Sequence, residues 1–428
     1  MTDIWSVDEH LDDILRAVRP LDHLELQLFD AQGCVLAEDV SVPVAMPPFD
    51  NSSMDGYAVR TADVEGSSEE FPAALTVVGD IAAGSGSLPA VGPGEAARIM
   101  TGAPLPPGAE AVVPVEWTDG GTGGGPAESM TAHSTAPGGT EVRVHRPAVA
   151  GAHIRTRGSD IPAGTVALTA GTLLGAPQIG LLAAVGRATV LVRPRPRVVV
   201  VSTGSELAEP GTKLGPGQIY DSNGYTLTAA AREAGAVAFR VSAVADDAAT
   251  LRAILEDQLI RADLLITSGG VSVGAYDVVK EALSDIDDLP GGVEFRRLAM
   301  QPGKPQGFGL IGPDRIPLLA LPGNPVSSYV SFEMFARPAL RAMAGHAELH
   351  RPRVRARLVA DTPLTSPPGK RQFLRGSHRN GTVRPVGGAS SHLIAALAQA
   401  DSLIVVPEEV TEVEPGTELE VVLLHHAR

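Results

Sequence analysis

The run Leu264-Leu265-Ile266-Thr267-Ser268-Gly269-Gly270-Val271-Ser272-Val273-Gly274-Ala275-Tyr276-Asp277 is apolar at first. It then stops abruptly in small and hydroxyl residues, with an acid close behind. The first half reads as a strand of a buried parallel sheet. The second half reads as a loop whose backbone can approach a ligand closely, since glycine has no Cβ in the way. Backbone N–H groups and hydroxyls suit an oxyanion such as phosphate. One such loop is equally well a plain strand-to-helix turn. The design recurs, however, in Arg197 to Glu206 (RVVVVSTGSE) and in Leu318 to Ser328 (LLALPGNPVSS). In the latter, Pro325 suits the first turn of a following helix. Ser222-Asn223-Gly224 precedes a helical stretch from Tyr225 to Ala234, and Asp247 can cap another from Ala248 to Leu259. Strands alternating with helices imply βαβ units and a parallel-type sheet with flanking helices. Ligands bind beyond the carboxyl ends of such strands. Three similar loops at that edge favour a phosphate-bearing ligand.

The remaining organisation follows from composition and punctuation. A chain of 428 residues implies several domains, and 44% apolar residues suffice for real cores. Segments 1–48 and 146–194 read as one discontinuous mixed α/β domain. The segment 49–145 reads as an inserted β-rich domain, 195–347 as the central α/β domain, and 348–428 as a small C-terminal β domain, barrel-like in its short alternating runs. No segment is long and apolar enough to span a bilayer, and Met1 to Leu15 has no signal-peptide pattern. The single cysteine, Cys34, excludes an intramolecular disulfide and fits a reducing cytoplasm. No Cys/His cluster has zinc spacing.

A net charge of −16 argues against nucleic-acid binding. It also demands local cations for any anionic ligand. The stretch from Arg351 to Arg384 is rich in them. The alternating arginines 351, 353, 355 and 357 read as the solvent face of a strand. Lys370 to Arg379, set among Gly and Ser, reads as the better anion site. Lys304 is a further candidate.

Thr267 to Gly274 (TSGGVSVG), with Leu321-Pro322-Gly323-Asn324-Pro325, resembles the molybdopterin-binding domain of the MoeA family and of the E domain of gephyrin. Phe49 to Ala58 (FDNSSMDGYA) and Ile99 to Pro106 (IMTGAPLP) agree. The resemblance runs from about Val7 to about Val422. It implies a molybdopterin molybdenumtransferase. Such an enzyme takes adenylylated molybdopterin and molybdate, and releases molybdenum cofactor and AMP with Mg2+ present. It also implies a cytoplasmic homodimer in which the β-rich domain of one subunit completes the site of the other. Other cofactor-biosynthesis proteins, or the recipient molybdoenzymes, are further partners it admits. Related adenylyltransferases carry Gly-Gly-Thr-Gly in the first loop, whereas this chain has Gly269-Gly270-Val271-Ser272. Two alternatives stay open: a molybdopterin adenylyltransferase, and a non-catalytic gephyrin-like scaffold.

Carried over residue by residue, the resemblance implies the following roles. Asp55 and Thr101 serve from the β-rich domain, and Glu206, Asp246 and Asp277 from the α/β domain. Asp277, then Glu206, would hold the metal. Gly269, Gly270 and Ser272 would cradle phosphate, beside Ser205 and Ser268. Lys304 would neutralise the ligand. Pro322 and Pro325 would shape the loop bearing Asn324. Ser391, with Arg371 or Arg375, would bind pterin phosphate or molybdate. Asp55 can equally fix the turn at Gly56, and Asp246 can equally be a helix cap. Gln301 stands where several family members have lysine.

Overall fold

The structure, a computed structural model, describes residues 4–130, 141–270, 278–284 and 292–424. The chain forms two compact units. One comprises Met1–Glu38, Ala170–Ile179 and Ala188–Arg428, and the other Asp39–Thr169 with Gly180–Arg187.

The first unit is built on a seven-stranded sheet. Its order is Ile4–Trp5, Gly292–Leu298, Pro305–Ile311, Ile316–Leu321, Leu264–Ser268, Arg197–Thr203 and Val237–Val244. Only Pro305–Ile311 runs against the rest, pairing antiparallel with both neighbours. The three apolar runs singled out in the sequence are adjacent strands of this sheet. Their continuous hydrophobicity has a simple cause. Side chains alternate across a strand, and here each face meets its own core. Val198, Val200, Leu264, Ile266, Leu319 and Leu321 pack on one side against Val7 and Ile14 of the helix Val7–Ala17, Leu227 of the helix Asn223–Glu233, and Val330. Val199, Val201, Leu265, Leu318 and Ala320 pack on the other against Leu251 and Leu255 of the helix Ala248–Leu259, and Val279 and Leu283 of the helix Val278–Ser284.

Local signals set the helix starts. Asp247 accepts from the Thr250 N–H at 2.8 Å. Ser6 and Glu9 form a reciprocal capping box at the start of Val7–Ala17. Pro325 opens the helix Pro325–Ser331, where its missing N–H has no intrahelical partner to lose.

The C-terminal region of the same unit is a closed five-stranded barrel. Arg371–Arg379 pairs with both Thr382–Pro385 and Ser402–Val406, and Arg353–Leu358 and Glu418–Leu423 complete the ring. Ala356, Leu358, Val383, Ile404 and Val421 fill it. Arg353, Arg355 and Arg357 alternate outward, as expected. Arg351 does not share that face. It donates twice at 2.9 Å to the buried Glu333 carboxylate.

The second unit centres on a five-stranded sheet in the order Glu141–Val144, Ala73–Ile81, Glu95–Ile99, Gly56–Val59 and Ala111–Pro114, with an apolar cluster on each face. As a compact body it extends beyond the segment 49–145. No helix among the described residues is long and apolar enough to cross a membrane.

One buried titratable group tests the packing of the first unit. His10, fully buried, lies edge-on to Phe335 with ring centroids 4.8 Å apart, and its Nδ1 is 3.4 Å from Arg296 Nη1. A guanidinium only donates, so Nδ1 accepts and the ring proton sits on Nε2. That atom has no hydrogen-bond partner among the described residues. Burial, and then the charge of Arg296, push the His10 pKa down to about 3. Its value in the unfolded chain is about 6.5. The unfolded state therefore binds the extra proton as pH falls between these values. His10 contributes stability that is fully present above about 6.5 and is lost toward about 3. Urea unfolding should show a larger drop in midpoint from pH 7 to pH 5 for the wild type than for His10→Leu. Equal drops would remove His10 from the acid response.

Candidate active site

The strand order of the α/β sheet reverses beside its first long strand. From Arg197–Thr203 the chain passes to Val237–Val244 on one side, then to Leu264–Ser268 on the other. Helices leave opposite faces at such a switch point and open a crevice beyond the strand ends. A cleft of about 610 Å³ lies there. Its lining includes Ser202-Thr203-Gly204, Ser268-Gly269-Gly270 and Pro322-Gly323-Asn324-Pro325, the three loops that resemble one another in sequence.

The loops pack backbone to backbone. Gly269 has φ +99°, and a Cβ there would stand 2.5 Å from the Thr203 carbonyl oxygen. Gly270, at φ +64°, would place one 2.7 Å from Val279 Cγ2. No other residue satisfies both the left-handed conformation and the contact. A Cβ built on Gly323 would lie 3.4 Å from Gly269 Cα, so the second and third loops also touch.

Side chains then tie the loops together. Asn223 Nδ2 donates to Ser268 Oγ at 2.9 Å and to the Gly323 carbonyl at 2.6 Å. Ser268 Oγ lies 3.3 Å from Ser328 Oγ. Asp221, buried, accepts from Ser202 Oγ and from the Gly224 N–H, both at 2.9 Å. Arg240 reaches Asp221 at 3.4 Å and Glu209 at 2.7 Å, and holds the Glu209 carboxyl below the usual carboxylate range. Ser205 and Asp246 bond reciprocally at 3.0 Å: the Ser205 N–H donates to Asp246 Oδ2, and the Asp246 N–H to Ser205 Oγ.

The cleft is acidic. Glu206, Asp221 and Asp246 line it, and among the described residues no lysine or arginine does. The Glu206 carboxylate makes no hydrogen bond among the described residues and packs over Gly204, where a Cβ would stand 2.6 Å from its Oε2. Lys304 is exposed and directly precedes Pro305, which lines the cleft.

The structure thus brings Ser205, Glu206, Asp246, Ser268, Gly269, Gly270, Pro322, Asn324 and Pro325 to one place. Asp246 does not cap the helix Ala248–Leu259; Asp247 does. Ser272 and Asp277 lie outside the described residues. Ser391 stands at the rim. Its carbonyl accepts from the Val326 N–H at 2.9 Å, and the adjoining His392 lines the cleft.

The two arginines proposed as anion ligands are engaged elsewhere. Arg371 forms a bidentate pair with Asp8 at 2.8 Å and contacts Glu408 at 3.0 Å, in a separate depression of about 710 Å³. The hydrogen bonds from Arg371, and then its charge, hold the Asp8 carboxyl below its usual range. Arg375 is buried, and its guanidinium donates to the carbonyls of Val386, Gly388 and Ser390. It holds the loop that carries Ser391 and His392.

Asp55 and Thr101 belong to the second unit and are brought together there. Asp55 Oδ1 accepts from the Thr101 N–H at 2.7 Å and from Thr101 Oγ1 at 2.9 Å. Asp55 therefore fixes the turn at Thr101. Gly56 is set by a different constraint, since a Cβ there would lie 2.0 Å from the Val113 carbonyl oxygen.

Sequence reasoning missed Asp221, Asn223, Ser328 and His392. The signal for the first two was present. Asp221-Ser222-Asn223-Gly224 is a polar run at a helix start, but the helix-start reading takes in only Ser222-Asn223-Gly224 and gives Asp221 no role.

The family model for the MoeA N-terminal region (domain I and II) matches residues 5–186. That for a probable molybdopterin binding domain matches 199–342, and that for the MoeA C-terminal region (domain IV) matches 357–424. Molybdopterin molybdenumtransferase 2 of Mycobacterium tuberculosis is 47% identical over 423 residues, covering 97% of this chain and 98% of the relative. Molybdopterin molybdenumtransferase 1 of the same organism is 40% identical, covering 98% and 99%. A crystal structure of the molybdopterin biosynthesis MoeA protein from Pyrococcus horikoshii superposes with a TM-score of 0.77 at 31% identity, over 99% of this chain and 100% of that one. With three family regions in order and near-full-length identity of this level, the chain belongs to the MoeA family, that of the molybdopterin molybdenumtransferases.

Proposed function

We propose that this chain inserts molybdate into adenylylated molybdopterin, releasing molybdenum cofactor and AMP. The observation that carries the reading is the meeting of three glycine- and hydroxyl-bearing loops at the switch point of the sheet. That cleft presents close backbone and hydroxyl groups, as a pyrophosphate ester requires. Gly269 and Gly270 let the ligand approach the main chain. Ser268 is held by Asn223 and Ser328, and Ser205 by Asp246. The reaction asks for a held pyrophosphate, a bound dianion and a leaving nucleotide, and none of these needs a protein nucleophile.

Three acids around a polyanionic ligand would repel it unless a cation intervenes. The donor set fits Mg2+. Glu206 offers a carboxylate with no hydrogen-bond partner among the described residues, and Asp246 has one oxygen beyond the one bonded to Ser205. Hard carboxylate oxygens beside a substrate phosphate are what this ion takes. When bound, the metal would screen the pyrophosphate and make its phosphorus more electrophilic. Glu206 and Asp246 would hold it, and the family resemblance adds Asp277 as a further ligand. Lys304 would add a charge-assisted contact at the rim.

Removing a ligand costs at least the roughly 10–100-fold in metal affinity or activity that outer-shell changes cost. Glu206→Gln, similar in size but uncharged, should therefore need far more magnesium for AMP release. An unchanged magnesium dependence would take Glu206 out of the metal site.

Asp55 and Thr101 act, in this reading, from the second unit of a partner subunit, in a homodimer. Two inactive variants should then complement. Mixing Asp55→Ala and Glu206→Ala chains under subunit exchange should restore part of the AMP release that each lacks alone. Mixed samples with no recovery would place the whole site within one chain.

A further inference from the structure

Asn223 opens the helix Asn223–Glu233 and lines the cleft. One amide nitrogen there bridges two loops that come from different strands. Nδ2 donates to Ser268 Oγ, at the end of Leu264–Ser268, and to the Gly323 carbonyl, beyond Ile316–Leu321. The assignment of the amide is forced. A carbonyl oxygen only accepts, so the nitrogen faces Gly323. The two hydrogens of one NH2 group serve two acceptors at once.

Ser268 Oγ, having accepted from Asn223, has one proton left. Ser328 Oγ at 3.3 Å and the Pro322 carbonyl at 3.4 Å compete for it. The orientation of the Ser268 hydroxyl therefore depends on Asn223. The Gly269 N–H bond to the Leu321 carbonyl at 3.1 Å joins the bases of the two loops, and Asn223 adds a second tie farther out, at Ser268 Oγ and the Gly323 carbonyl.

We infer that Asn223 is a positioning residue for the transfer reaction: its amide pins the outer ends of the two ligand-holding loops to each other and sets the direction of the Ser268 hydroxyl. The inference rests on the function proposed above. It concerns geometry at the reacting end, so its loss should lower kcat far more than it raises KM.

The informative variant is Asn223→Asp. It is nearly isosteric, but an ionised carboxylate cannot donate and would face the Gly323 carbonyl. The helix is not weakened, because an acid in the first turn is favourable to the dipole. Misplacement of this kind costs about 100-fold in turnover. A protonated carboxyl has one O–H and restores one of the two bonds, so the deficit should shrink in part as the assay moves from about pH 7 toward about pH 5, nearer the ordinary aspartate range. A loss of turnover caused only by a weakened fold would instead follow the melting temperature of each variant.

The test is magnesium-dependent AMP release from adenylylated molybdopterin plus molybdate, across that pH range. Wild type, Asn223→Asp and Asn223→Ala would be compared, with thermal melts of each. The expected result is a low kcat for both variants, near-wild-type melting of Asn223→Asp, and recovery at low pH in Asn223→Asp alone. Wild-type turnover in Asn223→Asp at every pH, or a deficit that ignores pH, overturns the positioning role. Absence of AMP release from the wild type would instead overturn the function proposed above.

Discussion

The register of three parallel strands is the constraint on which the rest of the site depends. Ser202 pairs with Ser268, and Ser268 with Leu321, so three strands end at one level. Only then can Gly269 lie against the Thr203 carbonyl on one side and Gly323 on the other. A shift of one residue in any of these strands would turn its side chains to the opposite face. It would take Ser202 from Asp221 and Ser268 from Asn223, and separate the loops. The two hydrophobic cores above and below the sheet hold that register, since each alternate residue has its own apolar surroundings.

The electrostatics of the cleft follow from the same frame. The helix start that supplies Asn223 also supplies Asp221, and the loop after Val237–Val244 supplies Asp246. Both acids bond to neighbouring loops, so they brace the cleft as well as charge it. Glu206 does not brace anything by hydrogen bonding among the described residues. That difference is what gives it first place as a metal ligand in the function proposed above. In a chain of net charge −16, binding of a polyanion must rest on contacts at this range, because charges beyond about 8 Å are largely screened in physiological salt.

Arginines show where a sequence stops being informative. Arg351, Arg353, Arg371 and Arg375 are close in the chain and chemically identical. In the structure Arg353 faces outward from the barrel, Arg351 pairs with the buried Glu333, Arg371 is clamped by Asp8, and Arg375 supports a loop through backbone carbonyls. A guanidinium takes whichever acceptors the fold brings near it. Asp8 is more than 360 positions from Arg371, and nothing local in the sequence connects them.

What the sequence by itself determined was whatever depends on local periodicity and backbone chemistry. This covers the buried parallel strands, the glycine loops at their ends, the Asp247 cap, the first-turn Pro325 and the short barrel strands. Each follows from residues a few positions apart. The second motif pair, Asp55 and Thr101, was legible as two motifs but not as one hydrogen-bonded unit. The tertiary structure alone decided which side chains meet. It placed Asn223 across two loops, put Asp221 on Ser202, and turned Arg371 and Arg375 away from the ligand cleft. The reason is physical. A strand or a turn is selected by the chain's own dihedral and burial preferences, whereas a hydrogen-bond partner is selected by packing between segments far apart in sequence.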